Sequence, residues 1–383
     1  MKVLFLAAYP PVLDMHGGGV RMYHNIRILA SRHDVHVLSF VENDEERERV
    51  SQIEGICSSV RAIERVPNFT PPSLSLTPSQ IRFFDTPAMH RAVNEACQSL
   101  EIDVLQCEYL EMAQFYRPGL FTVWSVIETL SPNARQQIRS ERGLRAKIRA
   151  SYRWMSLLNY ETRAAKKFDR VVTMTRSDAR YLRSYAPGAD IRAIPIGVDT
   201  RHYAPRELVS DQMPHILFLG NFRHTPNVEA VGFLKDHLMP AFPDIQFRIA
   251  GDNLPEGLLD GTGARAMGYQ ADTRCLYERP NTIVVAPLFS GTGQRVKLLE
   301  AFAMGVPVVT TARGAAGLDV RNGTDAIIAE TPGQFRAAVA DLRDSTELRE
   351  NVGANARRMI TERFDWDALA SRFLDVVEPQ ARS

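Results

Sequence analysis

Apolar positions in this chain gather into short continuous runs, separated by longer stretches in which they recur every three or four residues. In the first half the runs are KVLFLAA (2–8), DVHVLSF (34–40), SVRAIER (59–65), DVLQC (103–107), FTVWSV (121–126), RVVTM (170–174) and IRAIP (191–195). Helical periodicity covers 19–31, 43–55, 86–100 and 133–167 between them. Strands that are apolar on both faces and spaced by helices predict parallel βαβ units, with helices covering both sides of a sheet. The Pro- and Ser-rich stretch FTPPSLSLTPSQ (69–80) predicts a surface loop.

The second half starts over. HILFLGNFRHTPNVEAVGFL (215–234) repeats the plan of VLFLAAYPPVLDMHGGGVRMYHNIRILA (3–30), an apolar strand, an irregular loop and a helix. Further strands are predicted at IQFRIAG, ARAMG, TIVVAP, VPVVTT and DAIIAE. The pattern predicts two doubly wound α/β domains, with a boundary near AIPIGVDTRHYAP (193–205), where Pro195, Gly197 and Pro205 punctuate the chain. Ligands of open α/β sheets bind beyond the carboxyl ends of the strands. The expected site is therefore a cleft where two such sheets face each other.

Composition narrows the class without naming it. A chain of 383 residues exceeds the about 250–300 at which one core stops growing, which agrees with two domains. The formal net charge of +1 supplies no global field for nucleic acid. Four scattered cysteines, Cys57, Cys97, Cys107 and Cys275, form no C-x-x-C pair and read as buried thiols of a reducing compartment. The N-terminal apolar run is short and is closed by Pro10 and Pro11, so it reads as a first strand and not as a signal peptide. No run is long enough for a membrane-spanning helix, and the expected location is the cytoplasm.

Candidate chemistry concentrates in SGTGQRVKLLEAFAMGVPVV (290–309). Arg295 and Lys297 stand at the predicted start of a helix, the end that ordinarily disfavours cations by about 0.3–1 kcal/mol each. An anion held by the backbone N–H groups and both side chains would compensate. Glu300 lies three residues beyond Lys297 and shares its face. The pair could be a plain intrahelical ion pair; alternatively, Glu300 accepts hydrogen bonds from sugar hydroxyls beside an anion site. Two cations for phosphates and one carboxylate for a ribose suggest a nucleotide or nucleotide sugar. In the first half MHGGGVRMYHN places Gly17, Gly18 and Gly19 between the first strand and its helix, with Arg21 in the first helical turn. That loop fits neither G-x-G-x-x-G nor G-x-x-x-x-G-K-[ST], so it is either a tight turn or an approach for an anionic ligand.

These segments resemble the retaining GT-B glycosyltransferases of family 4. GTGQRVKLLEAFAMGVPVVTT is similar to their donor-binding signature and AIPIGVD to their interdomain P-N-G-V-D. HILFLGNFRHTPNVEAVGFL, HGGGVRMYHNIRILA and RFDWDALASRFLDVV also fit, in the right order. The resemblance implies two Rossmann-like domains facing a central cleft. Residues 1–195 would bind the acceptor, with the last helix (366–383) packed back on them, and residues 196–365 the nucleotide-sugar donor. It implies that Glu300, the second glutamate of E-x7-E, holds the ribose. Arg295 or Lys297, with Arg223, would neutralise the donor diphosphate, and Gly291, Thr292 and Gly293 would form the loop around it. Gly18 and Gly19 would line the cleft near the sugar.

Three positions depart from the family pattern. The first glutamate of E-x7-E is Thr292, Asn221 stands where an arginine is common, and Ser125 replaces a histidine after the fifth strand, although Glu128 is retained. His16 or Glu128 is then the candidate near the anomeric centre. The expected activity is metal-independent, retaining transfer from a nucleoside-diphosphate sugar to a hydroxyl of a glycan or lipid-linked acceptor, with no cofactor. The alternative is a non-catalytic GT-B subunit that binds a nucleotide sugar or a partner transferase. Asp365-Trp366-Asp367 matches D-x-D, but its place at a helix start predicts capping. Arg135, Arg139, Arg142, Arg145, Arg149 and Arg153 fall at spacings of 4, 3, 3, 4 and 4. They predict either a solvated charged face or a peripheral contact with anionic lipid on the inner face of a membrane.

Overall fold

The computed structural model describes residues 1–13, 17–66, 76–205, 214–277, 281–291 and 295–379. The chain divides into two compact units, Met1–Pro195 with Ala370–Ser383, and Ile196–Leu369.

The first unit carries seven strands, β1 (Lys2–Ala7), β2 (Asp34–Val41), β3 (Ser59–Glu64), β4 (Val104–Glu108), β5 (Phe121–Val126), β6 (Arg170–Thr173) and β7 (Ile191–Ala193). All pair in parallel, in the order β3-β2-β1-β4-β5-β6-β7. The order reverses at β1, which places a topological switch point between β1 and β4. Central strands are buried along nearly their whole length, as both faces carry helices, whereas the edge strand β3 alternates and exposes Arg61 and Glu64. The helices are α1 (Gly17–Ala30), α2 (Asp44–Ser51), α3 (Ser79–Phe83), α4 (Pro87–Ser99), α5 (Ser131–Ser140), α6 (Leu144–Lys167) and α7 (Arg176–Tyr185).

The single helical stretch expected over 133–167 is two helices. Gly143 at φ +89° breaks it, a backbone conformation that favours glycine. Leu130 and Ser131 donate their N–H groups to Glu161 at 2.7 and 3.2 Å, so a carboxylate from α6 caps the start of α5. The expected loop at 69–80 lies mostly outside the described residues, and its last two residues begin α3.

The second unit repeats the arrangement with β8 (His215–Leu219), β9 (Gln246–Ala250), β10 (Arg265–Gly268), β11 (Thr282–Ala286), β12 (Val308–Thr310) and β13 (Ile327–Ile328). Its order is β10-β9-β8-β11-β12-β13, again all parallel. Its helices are α8 (Thr225–Phe233), α9 (Arg274–Tyr277), α10 (Val296–Ala303), α11 (Pro332–Asp344), α12 (Thr346–Arg363) and α13 (Trp366–Val377). Helix α13 starts in the second unit and ends in the first. There Arg170 donates to the carbonyls of Asp375, Val376 and Glu378 at 2.5, 2.7 and 3.1 Å, supplying a cation to the helix's negative end.

Asp365 caps the other end of α13, accepting from Asp367 N at 2.8 Å and from Thr200 Oγ1 at 2.6 Å, while Asp367 pairs with Arg201 at 2.9 Å. All four cysteines are free thiols, but only Cys107 is buried; Cys57 and Cys97 are half-buried and Cys275 is exposed, which corrects the expectation for those three.

Candidate functional site

The carboxyl ends of β8 and β9 meet closely in the second unit. Gly251 has φ +136°, and a Cβ there would fall 1.7 Å from the carbonyl oxygen of Gly220. A Cβ on Gly220 would in turn lie 2.7 Å from the Asn227 side chain. Only glycine permits this approach, which opens a pocket of about 300 Å³ over the strand ends. Its floor is Leu219, Gly220, Ala250 and Gly251; Asn221, Asp252, Tyr269, Gln270 and Thr273 rim it, and Lys297 and Glu300 enter from α10.

Lys297 stands in the first turn of α10, with Arg295 as the residue that precedes the helix. Its ammonium donates to Asn227 Oδ1 at 2.7 Å and lies 4.9 Å from the centroid of the Phe218 ring. Burial, then the neighbouring Arg295, pull the Lys297 ammonium down to about 7, against an opposing pull from Glu300. Glu300 accepts from Thr273 Oγ1 at 3.2 Å and from Tyr277 Oη at 3.5 Å. Tyr203 supports Thr273 from behind at 3.2 Å. Burial lifts the Glu300 carboxyl to about 7, outweighing those hydroxyls and the nearby ammonium. Lys297 and Glu300 thus share a pocket without forming the intrahelical ion pair that their spacing allows. Each keeps its own neutral partners and points a titrating group at the same space.

The other expected donor residues scatter. Arg295 turns back and donates to Ser290 O at 3.1 Å, with its guanidinium packed over Gly291, which sits at φ +83°. Neither Arg295 nor Gly291 lines the pocket, and neither does Arg223, an exposed residue whose backbone N–H donates to Asn221 Oδ1 at 3.0 Å. Thr292 and Gly293 lie outside the described residues. Sequence reasoning missed Asn227, Asp252, Tyr269, Thr273 and Tyr277. Gly220 and Gly251, each closing a predicted strand, were the signal that a pocket opens there.

The profile described as Glycosyl transferases group 1 matches residues 213–345, and the one described as Glycosyltransferase Family 4 matches residues 15–202. The chain belongs to the group 1 glycosyltransferases. Its two parallel-sheet units have the GT-B fold. Sucrose-phosphate synthase from Thermosynechococcus elongatus superposes with a TM-score of 0.74 over 98% of each chain at 16% identity. Anabaena HepE, solved in complex with UDP, superposes with a TM-score of 0.68 over 98% of this chain and 99% of its own at 15% identity. In sequence, a phosphatidyl-myo-inositol mannosyltransferase from Mycobacterium leprae is 30% identical over 222 residues, 54% of this chain. The match spans 58% of that relative's own length.

In the first unit of this glycosyltransferase the expected residues have different fates. His16 lies outside the described residues. Glu128 follows β5, is half-buried and accepts from Asn133 Nδ2 at 2.9 Å. Gly18 and Gly19, expected in a loop lining a cleft, are buried in the first turn of α1, because the helix begins at Gly17. Arg21, expected to face an anion, is fully buried and donates from Nη1 to the carbonyls of Ile194 and Pro195 at 3.2 and 3.1 Å. Glu108, also fully buried, accepts from Gln106 Nε2 at 2.8 Å and Asn25 Nδ2 at 3.2 Å. Ser125 is sealed into the same network, accepting from Gln106 at 2.8 Å.

Proposed function

We propose that this chain transfers a glycosyl group from a nucleoside-diphosphate sugar to a hydroxyl of a glycan or lipid-linked acceptor, with retention at the anomeric carbon and without a metal. The observation that carries the reading is the pairing of Lys297 and Glu300 in one pocket. A diphosphate beside Lys297 holds the ammonium charged; a ribose donating its hydroxyls to Glu300 holds the carboxylate ionised. Tyr269, 69% exposed at the pocket rim, offers a ring face on which a base stacks. The start of α10 adds a positive end to the leaving diphosphate, and stabilising that departing charge is what the transfer requires most. Arg223 and Arg295, outside the pocket lining, are the further cations this reading assigns to the diphosphate. Glu128 or His16 is the candidate group near the anomeric centre in this reading.

Two likenesses support the substrates. The Anabaena neighbour was solved with UDP, and the Mycobacterium leprae relative is named for mannosyl transfer to phosphatidyl-myo-inositol. The second reading, a non-catalytic subunit, draws on Ser125, whose hydroxyl is buried against Gln106 and cannot replace the family's histidine.

A thermal-shift series in EDTA with UDP, GDP, ADP and TDP and their sugars tests both readings. Binding to the native state adds about 2.7 kcal/mol of stability at a hundredfold excess over Kd. A shift with one diphosphate and its sugar, followed by slow release of diphosphate from that sugar, is the outcome expected of a transferase. A shift without turnover selects the non-catalytic subunit, and no shift removes both.

A further inference from the structure

Helix α6 presents two opposed faces. Ala150, Leu157 and Ala164 are buried against the first unit, together with Glu161. On the opposite side Leu144, Ile148, Tyr152 and Met155 are 75%, 60%, 39% and 57% exposed, at spacings of 4, 4 and 3 that form one continuous ridge. Large exposed apolar residues are ordinary when scattered, but a row of four along one helix marks a contact surface. Cations flank the ridge. Arg145 and Arg149 stand exposed on one side of it and Lys147 on the other, with exposed Arg153 next to Tyr152. The preceding helix and connector add exposed Arg135, Arg139 and Arg142, and the Arg135 guanidinium sits 5.7 Å from the Trp154 ring centroid. Across residues 131–155 seven cations face a single carboxylate, Glu141.

We propose that the α5–α6 hairpin docks this chain on an anionic lipid surface, inserting the Leu144–Ile148–Met155 ridge among acyl chains while the arginines and Lys147 hold phosphate headgroups. A helix lying in the interface needs an apolar face bordered by Lys and Arg; this one supplies both, with the exposed Tyr152 ring beside them. Charge decides the occupant. A second copy of the same face would set two cationic rims against each other, whereas anionic headgroups neutralise the rim. The described residues contain no helix long and apolar enough to cross a membrane. The inference stands on the hairpin alone and does not depend on the transferase reading.

The test is co-sedimentation of the full chain with vesicles of phosphatidylcholine alone and with about 30% phosphatidylglycerol added, at low and at high salt. The wild type is expected to sediment with the anionic vesicles and to lose binding in about 0.5 M salt, since each cation near such a surface is worth about fivefold in partitioning. Ile148→Glu with Met155→Glu changes exposed positions only, and should weaken binding by roughly tenfold or more per side chain while leaving melting temperature and diphosphate-induced shifts unchanged. Arg145→Glu with Arg149→Glu should remove the salt-sensitive part. Absence of wild-type sedimentation with anionic vesicles overturns the proposal. So does a double glutamate variant that binds like wild type, or a ridge whose mutation breaks a dimer or a protein complex without changing vesicle binding.

Discussion

Each unit of this chain holds one cation and one glutamate at the carboxyl edge of a doubly wound sheet, and the two pairs have opposite surroundings. In the first unit Arg21 and Glu108 are both fully buried, walled in by Asn25, Gln106 and Ser125, and Arg21 is fastened to the carbonyls of Ile194 and Pro195. In the second, Lys297 and Glu300 line an open pocket of about 300 Å³. Burial pulls the Arg21 guanidinium below its ordinary range and pushes the Glu108 carboxyl above its own, each partly offset by the other charge. The same physics acts on Lys297 and Glu300, yet there a ligand can enter and relieve it. One pair reads as architecture and the other as a binding site.

The comparison breaks most visibly at Arg21. Arg21→Met should cost about 3–5 kcal/mol of unfolding free energy, because it strands Glu108 and two boundary carbonyls in the interior. Adding Glu108→Gln should recover part of that loss, since a neutral amide tolerates the site better than an unaccompanied carboxylate. Urea denaturation of the four proteins of the cycle measures both. A single Arg21→Met variant within about 1 kcal/mol of wild type would make Arg21 something other than architecture.

Lys297 should behave the other way. Lys297→Ala is expected to weaken nucleoside-diphosphate binding by roughly ten- to a hundredfold, the value of a charge-assisted hydrogen bond. Its unfolding free energy should move by less than about 1 kcal/mol, because removing a cation from a helix start offsets the lost contact with Asn227. Calorimetric titration and denaturation on the same preparation separate the two quantities. Equal affinity in wild type and variant would show that the pocket is not the anion site.

Periodicity alone made the fold legible. The seven predicted strands of the first half are the seven observed, with ends that differ by at most two residues, because buried parallel strands are nearly pure apolar runs. The split between α5 and α6 was hidden, since one glycine with a positive φ breaks a helix without disturbing the apolar spacing on either side. At the site, Lys297 and Glu300 were legible because they share a helix face. Asn227, Asp252, Tyr269 and Thr273 were not, as each reaches the pocket from a different element and local pattern carries no trace of that convergence. Arg21 misled for the same reason. A cation near a helix start signals an anion only when the helix start is open, and burial of Arg21 is decided by β4 and by the segment around Pro195.

The subtlest expected difference between the pairs is in pH. Burial, then Arg295, hold Lys297 at about 7, well below the ordinary lysine range. A bound diphosphate favours its charged form, so binding above about pH 7 must take up a proton, and affinity should fall as pH rises, by at most about tenfold per unit. Glu300 is also held at about 7, above the ordinary carboxylate range, and ribose hydroxyls favour its ionised form. Below about pH 7 binding must therefore release a proton, and affinity should fall as pH falls. The two limbs predict an affinity optimum near neutrality. Titration calorimetry in two buffers of different ionisation enthalpy reads the proton count directly. Lys297→Arg keeps a charged group at every accessible pH and should flatten the alkaline limb while leaving the acid limb in place. Glu300→Gln should reduce the acid limb but not abolish it, since the terminal phosphate itself titrates near pH ~6. The alkaline limb is thus the cleaner of the two. If it persists unchanged in Lys297→Arg, another group carries it and the open pair is no more responsive than the sealed one.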